Sequence, residues 1–282
     1  MSPSQRSSER TDRLIFLHIP KTAGTTIRAA LATAYRPEER AFVYHPSVHD
    51  SVTTETIDSW SEDRRVALRL VMGHFDFGIH SNLPEPNRYV TMLREPMERL
   101  VSLYDYFRTG SFPPGTGAAR QHDRLNAEDI AIDAYAFDTK HPRWDNQMVR
   151  MLSGRSGVRF GACDEAMLAE ALENIEARFA GLLLQERMSD SMGVLSLLAG
   201  RSLPTLAGRR GRDGRIGRVM ARVSSEVRWQ NATPDRRTLN EIDPAALGRV
   251  RDLNRFDIEL YRIAAERFGM PRSDSASVPS AD

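Results

Sequence analysis

The chain holds a single cysteine, Cys163, so no internal disulfide can brace it and the fold does not depend on an oxidising compartment. No apolar run approaches the roughly 18–20 residues that span a bilayer, and the opening MSPSQRSSERTDR has no apolar segment of the signal-peptide kind. The expected location is therefore the cytoplasm. An excess of one charge is also missing. The 39 basic residues face 38 acidic ones for a formal net charge of +1, which gives no support to a general polyanion binder, nucleic acid included. The CxxC and HExxH spacings are absent, as is any acidic metal cluster, so no metal is expected. Lysine is scarce too: Lys21 and Lys140 stand alone among the 39 basic residues. A codon bias toward arginine accounts for this, and it makes a lysine at position 21 informative.

The length of 282 residues suits one substantial α/β domain. Residues 1–12 and 273–282 are polar, small-residue tails expected to be disordered, leaving a single domain over 13–272. Within it, short apolar runs alternate with helical periodicity. Strands are expected at Leu14–His18, Val66–Met72, Tyr89–Leu93 and Gly181–Leu184. Helices are expected from about Thr25 to Tyr35, from Pro96 to Arg108, over Asp164–Arg178 and Met188–Ala199, and as one long closing element over Pro244–Phe268. This alternation predicts a parallel sheet flanked by helices on both faces. Two stretches break the pattern. Thr109–His141, rich in Pro, Gly and polar residues before a short helical run, is long for a plain connection, and Arg201–Arg222 carries seven arginines punctuated by glycines, a disordered or solvated surface or else an acceptor-binding one.

The segment His18-Ile19-Pro20-Lys21-Thr22-Ala23-Gly24-Thr25-Thr26 lies between an expected strand and an expected helix. Such a junction suits an anion, because unpaired N–H groups and the helix dipole face the ligand, and that reading is favoured over an ordinary strand–turn–helix junction with a threonine cap. Gly24 permits close backbone approach, Thr25 and Thr26 add hydroxyls, and Lys21 adds a mobile positive charge. It is not the nucleoside-triphosphate loop GxxxxGK[ST], since Lys21 precedes the glycine. In the second segment, TMLREPMERLVSLY, Arg94 follows a strand at the edge where α/β sheets bind ligands, and Ser102 lies off the core stripe of the next helix. A guanidinium fork with a hydroxyl makes a phosphate clamp. Taken alone, this segment is better explained by a cap or a surface ion pair between Arg94 or Arg99 and Glu95 or Glu98.

HIPKTAGTT followed at this distance by TMLREPMERLVSLY resembles the superfamily of sulfotransferases that use 3'-phosphoadenosine 5'-phosphosulfate (PAPS), and most closely its heparan-type carbohydrate O-sulfotransferase branch. GHFDFG at 73–78, WDNQMVRML at 144–152 and LNRFDIELY at 253–261 support the likeness, which spans residues 14–268. The resemblance implies a P-loop-like fold and transfer of a sulfuryl group to an acceptor hydroxyl on a saccharide. It implies that Lys21 contacts the bridging oxygen of the sulfate ester, and that Thr22, Ala23, Gly24, Thr25 and Thr26 hold the 5'-phosphate. Arg94 and Ser102 would hold the 3'-phosphate, and Asn231, with Arg236 and Arg237 nearby, would belong to a loop closing over the nucleotide.

His74 is the candidate general base, since an imidazole can take a proton from a hydroxyl near neutral pH. Asp76 could orient it or serve as a turn residue. Met72 stands where heparan 2-O-sulfotransferases carry a second histidine, which argues against a two-histidine mechanism. Asn146, Gln147 and Arg150 on one short helix could line the acceptor cleft or form the edge of a surface helix. Two other classes stay open on the residues alone: a P-loop kinase or NTPase, and a non-catalytic nucleotide-binding protein. The first needs GxxxxGK[ST] and an acidic Mg²⁺ ligand, which are missing, and the retention of Lys21 with His74 speaks against the second.

Overall fold

Runs in which every residue is buried, rather than alternating ones, mark the strands. Residues 13–17, RLIFL, and 70–73, LVMG, are buried throughout, as expected where a parallel sheet is covered on both faces. The computed structural model describes residues 12–44, 51–207, 226–228 and 237–267. In chain order the elements are β1 (Arg13–Leu17), α1 (Gly24–Ala34), β2 (Arg40–Val43), β3 (Ser51–Val52), α2 (Thr54–Asp58), α3 (Glu62–Ala67), β4 (Leu70–Gly73) and β5 (Asn87–Leu93). There follow α4 (Pro96–Thr109), α5 (Gly117–Ala127), α6 (Ile132–Thr139), α7 (Gln147–Ser153), α8 (Glu165–Arg178), β6 (Phe179–Leu184) and α9 (Met188–Ala199). The last are β7 (Thr205–Ala207), β8 (Glu226–Arg228), α10 (Pro244–Leu253) and α11 (Arg255–Arg267). The chain divides into two compact units, one of residues 1–92 and 175–232, the other of 93–174 and 233–282.

The first unit is built on a six-stranded sheet of order β3-β2-β4-β1-β5-β6. β1 pairs in parallel with β4 on one side and β5 on the other, and β2 is parallel to both β3 and β4. The register sets Leu17 opposite both Gly73 and Thr91, and Val43 opposite Gly73, so β1, β2 and β4 end level with one another. One sheet face supplies Leu14, Phe16, Phe42, Leu70, Met72, Val90 and Met92 to a core closed by Ile27, Ala30 and Leu31 of α1 and by Met188, Met192 and Leu195 of α9. Ile15, Leu17, Val71 and Tyr89, of the opposite parity, are also fully buried. A separate parallel pair joins β7 and β8.

The second unit is helical, with its core drawn from Leu100, Leu103, Tyr104 and Phe107 of α4, Tyr135 and Ala136 of α6, Trp144, and Ala246 and Val250 of α10. The stripe read at 100, 103, 104 and 107 is thus the buried one. Two expectations need correction. Val66 and Ala67 end helix α3 rather than start a strand, because Ser61 caps that helix from its first turn through a bond to the Arg64 amide. The stretch 109–141, too long for a plain connection, holds α5, capped by Thr116, and α6. The closing helix is broken at Asn254, whose amide goes to the Val250 and Arg251 carbonyls and whose side chain is taken by another segment. The two tails, except Asp12, lie outside the described residues, as do 208–222 of the arginine-rich stretch.

Candidate active site

Since β1, β2 and β4 end level, the next residue of each emerges side by side at the carboxyl edge of the sheet. Those residues are His18, Tyr44 and His74. The backbone stitches them: the His18 amide donates to the Gly73 carbonyl at 2.8 Å, and the His74 amide to the Val43 carbonyl at 2.9 Å. Gly73 makes this possible, because a Cβ there would sit 1.8 Å from the Val43 oxygen. The imidazoles of His18 and His74 stack with centroids 4.3 Å apart, and the Tyr44 ring meets His74 edge-on at 4.8 Å. Tyr44 Oη and His18 Nδ1 share a hydrogen bond of 2.9 Å.

His74 is exposed at the ring while its Nδ1 lies 2.7 Å from the backbone carbonyl of His18. A carbonyl can only accept, so Nδ1 carries the proton and the basic lone pair is at Nε2. That is the tautomer a general base needs. Its orienting partner on Nδ1 is the carbonyl of His18. His18 itself is buried, and burial, followed by the neighbouring His74 and Lys21, holds its pKa well below the usual imidazole value. It is neutral at physiological pH. Burial likewise pushes the Tyr44 hydroxyl up, with Arg28 acting in the opposite sense.

From His18 the chain turns into the loop that precedes α1. Lys21 (φ 71°) and Ala23 (φ 64°) are both left-handed although neither is glycine. Sequence reasoning does not foresee this pair of strained residues, which turns the loop backbone sharply before the helix. Thr22 is fully buried and its hydroxyl donates 2.8 Å to the Ile19 carbonyl, so it braces the loop from within rather than presenting its hydroxyl to a ligand. Ala23 occupies the N-cap of α1 without a side-chain cap, and no acidic residue stands in the first turn, which keeps that 11-residue helix's positive end suited to an anion. Lys21 is half-buried and Thr25 exposed, while Thr26 is buried. Gly24 has a reason other than ligand approach: a Cβ at this residue would lie 1.6 Å from His18 Nε2.

The second unit contains Arg94 and Ser102. Arg94, the first residue after β5, is buried, and its Nη2 lies 3.6 Å from Glu98 Oε2. Glu95 caps α4 by accepting from the Glu98 amide at 2.6 Å. Ser102 is buried on α4. Both the ion pair and the cap expected as simpler explanations thus exist, alongside a guanidinium and a hydroxyl on neighbouring turns. Asn231 and Arg236 lie outside the described residues. Arg237 is engaged with α4: its amide donates to Asp105 Oδ2 at 2.9 Å and its guanidinium lies over Tyr104, 5.1 Å from the ring centroid.

Asn146, Gln147 and Arg150 do not lie on a surface helix. All three are buried, and Arg150 pairs with the buried Asp145. Asn146 Oδ1 accepts from the Phe256 and Asp257 amides at 3.0 Å each, while Asp257 accepts from the Met148 and Val149 amides at 3.1 and 2.9 Å. Asn254 completes the clamp, accepting from the Asn146 amide and donating to the Trp144 carbonyl. Arg99 lies 3.9 Å from Asp257, both fully buried. This is a structural lock between two chain segments.

Among the described residues no group of three or more histidine, cysteine or acidic side chains could hold a metal ion, and no helix is long and apolar enough to cross a membrane. A model of the galactose-3-O-sulfotransferase family matches residues 1–245 of the chain. Curated proteins give no match. Sixteen solved chains match. One, a crystal structure of mouse sulfotransferase SULT7A1 complexed with PAP, is 12% identical over 92% of this chain and 90% of that one, with a TM-score of 0.41.

Proposed function

The chain belongs to the galactose-3-O-sulfotransferase family and is a PAPS-dependent O-sulfotransferase; on that premise we propose that Lys21 and His74 serve the two ends of the displacement and that the acceptor is a saccharide hydroxyl. The observation that supports this division is inside the first unit. The uncapped start of α1, the Lys21 loop and an exposed imidazole with its lone pair fixed at Nε2 leave one sheet edge together.

In this reading His74 Nε2 takes the acceptor proton as the acceptor oxygen bonds to sulfur. The electron pair of the breaking S–O bond passes to the oxygen of the 5'-phosphate, where the Lys21 ammonium offsets the growing charge. The loop from Lys21 to Thr26 holds the phosphosulfate by its backbone and by Thr25. Thr22 and Ala23 contribute through their backbone, since the Thr22 hydroxyl is engaged with the Ile19 carbonyl. Arg94 and Ser102 hold the 3'-phosphate, and Asn231 belongs to the covering loop; these last roles rest on the sequence resemblance. The transfer written this way uses no divalent cation.

The test is turnover against pH with labelled PAPS and a panel of galactosides and other glycans, for wild type, Lys21→Arg and His74→Ala, with and without chelator. His74→Ala should lose about 10²–10⁴-fold in turnover together with the acidic limb of the profile, while keeping its nucleotide affinity. Lys21→Arg should be slow with every acceptor, because a planar fork does not replace a compact ammonium at one oxygen. Wild-type turnover and pH dependence in His74→Ala would place the base elsewhere, and loss of activity to chelator, restored by Mg²⁺, would overturn the metal-free reaction.

A further inference from the structure

We propose that His18 is a positioning residue for this reaction, which sets the orientation and tautomer of His74 and supports the donor loop at the same time, with Tyr44 holding it in place. The proposal rests on the reading of Lys21 and His74 above. His18 reaches both partners through different parts of itself. Its carbonyl takes the proton of His74 Nδ1 at 2.7 Å, and its ring stacks against the His74 ring at 29° between planes. On the other side, the ring fills the space that a side chain at residue 24 would need, directly under the start of α1. A movement of His18 therefore displaces the base and the loop together.

A residue with that duty must itself be fixed, and its surroundings show how. Tyr44 Oη meets Nδ1 at 2.9 Å, which defines the rotation of the imidazole about its axis. Tyr44 is held in turn at the end of β2, under the Arg28 guanidinium, 5.5 Å from its ring centroid. The charged and titratable groups facing His18 are thus Lys21 from its own loop, His74 from the β4 end, Tyr44 from the β2 end and Arg28 from α1, close to Tyr44. Among the described residues that face it none is an anion, consistent with the buried neutral state. A neutral ring stacks on His74 without repelling the imidazolium that forms when His74 takes the acceptor proton.

The experiment uses the full chain with ¹⁵N-labelled histidine, at about pH 8 where an ordinary imidazole is neutral. Imidazole nitrogen shifts report the tautomer of His74, assigned by the loss of its signals in His74→Ala. Wild type should show Nδ1–H with the lone pair at Nε2. His18→Ala and Tyr44→Phe should shift His74 toward a mixture containing the Nε2–H form, the first more than the second. Turnover should fall about ten- to a hundredfold in His18→Ala, the scale of a small misplacement of a catalytic group, and less in Tyr44→Phe. A merely structural role would lower thermal stability and leave the tautomer and the turnover per folded molecule unchanged, and that result overturns the proposal. An unchanged tautomer with lowered turnover overturns it as well. If His18→Ala does not fold, Tyr44→Phe, which removes one oxygen, decides by the same two readouts. Should His74→Ala retain wild-type turnover, His74 is not the base, yet the tautomer shift still tells whether His18 orients it.

Discussion

Replacing Gly24 by alanine puts a number on the contact between the donor loop and His18. A Cβ at residue 24 would stand 1.6 Å from Nε2, 1.9 Å from Cε1 and 2.2 Å from Cδ2 of that ring. To restore ordinary contact the ring has to retreat by about 2 Å. It cannot do so cheaply, for its Nδ1 is bonded to Tyr44 and its face is stacked on His74. Overpacking of this kind costs about 1–3 kcal/mol, and a lost hydrogen bond adds about 0.5–1.5 kcal/mol. Against this, alanine is the better helix former by up to about 1 kcal/mol. Gly24→Ala should therefore destabilise the protein by roughly 0.5–4.5 kcal/mol. In a His18→Ala background the obstacle is gone and only the helix preference remains, so the same substitution should become neutral or stabilising. The coupling energy of the four-protein cycle is then at least about 1 kcal/mol. Urea midpoints for the four proteins measure it. An equal cost in both backgrounds refutes the contact. A Gly24→Ala protein as stable as wild type but weak for PAP would show that the glycine serves the ligand instead.

The 3'-phosphate assignment predicts that Arg94→Ala weakens 3'-phosphoadenosine 5'-phosphate by at least about tenfold while leaving adenosine 5'-phosphate unaffected. Calorimetry showing the same loss for both nucleotides would sink it. The buried neutral state of His18 makes stability depend on pH. Below its ordinary pKa of about 6.5 the unfolded chain takes up a proton that the folded protein refuses, so the stabilisation is complete above that pH and drains away below it, by at most about 1.4 kcal/mol per pH unit. Denaturation of wild type and His18→Leu across this range should show the steeper acid loss in wild type, and parallel curves would contradict the assignment.

The elements that were legible in the sequence are those whose burial is continuous or strictly periodic. β1, β5 and α4 carry unbroken apolar runs or an i, i+3, i+4, i+7 stripe, and they stand within a few residues of their expected bounds. β2 (Arg40–Val43) gave no signal, since four residues hold too little pattern to separate a strand from the loop around it. Yet β2 delivers Tyr44 to the site. The residue's importance lies in the register that ends β1, β2 and β4 together, and register is a property of pairing that no single strand encodes. His18 was overlooked for a related reason. A histidine that opens a loop reads as packing, which is what its ring does against Gly24, while its carbonyl's hold on His74 has no side-chain signature at all.

The motifs themselves divide by kind in a way their likeness to a family does not reveal. HIPKTAGTT and GHFDFG emerge at one sheet edge, with an exposed imidazole and a half-buried lysine, as chemistry requires. WDNQMVRML and LNRFDIELY also support the likeness, and they bind each other. Asn146 is left-handed at φ 47°, a conformation asparagine tolerates better than most residues, and it spends its carboxamide oxygen on two backbone amides across the clamp. Asp257 does the same in the opposite direction. A short run of polar residues beside apolar ones looks alike whether it lines a cleft or satisfies buried backbone groups, because both demand specific donors and acceptors at fixed spacing. What separates them is where the remaining polar atoms go. In the clamp Asn146, Asn254 and Asp257 give theirs to the protein's own amides and carbonyls, whereas at the sheet edge the orienting bond to Nδ1 places the lone pair of His74 at Nε2. A base needs that arrangement, and a lock has no use for it.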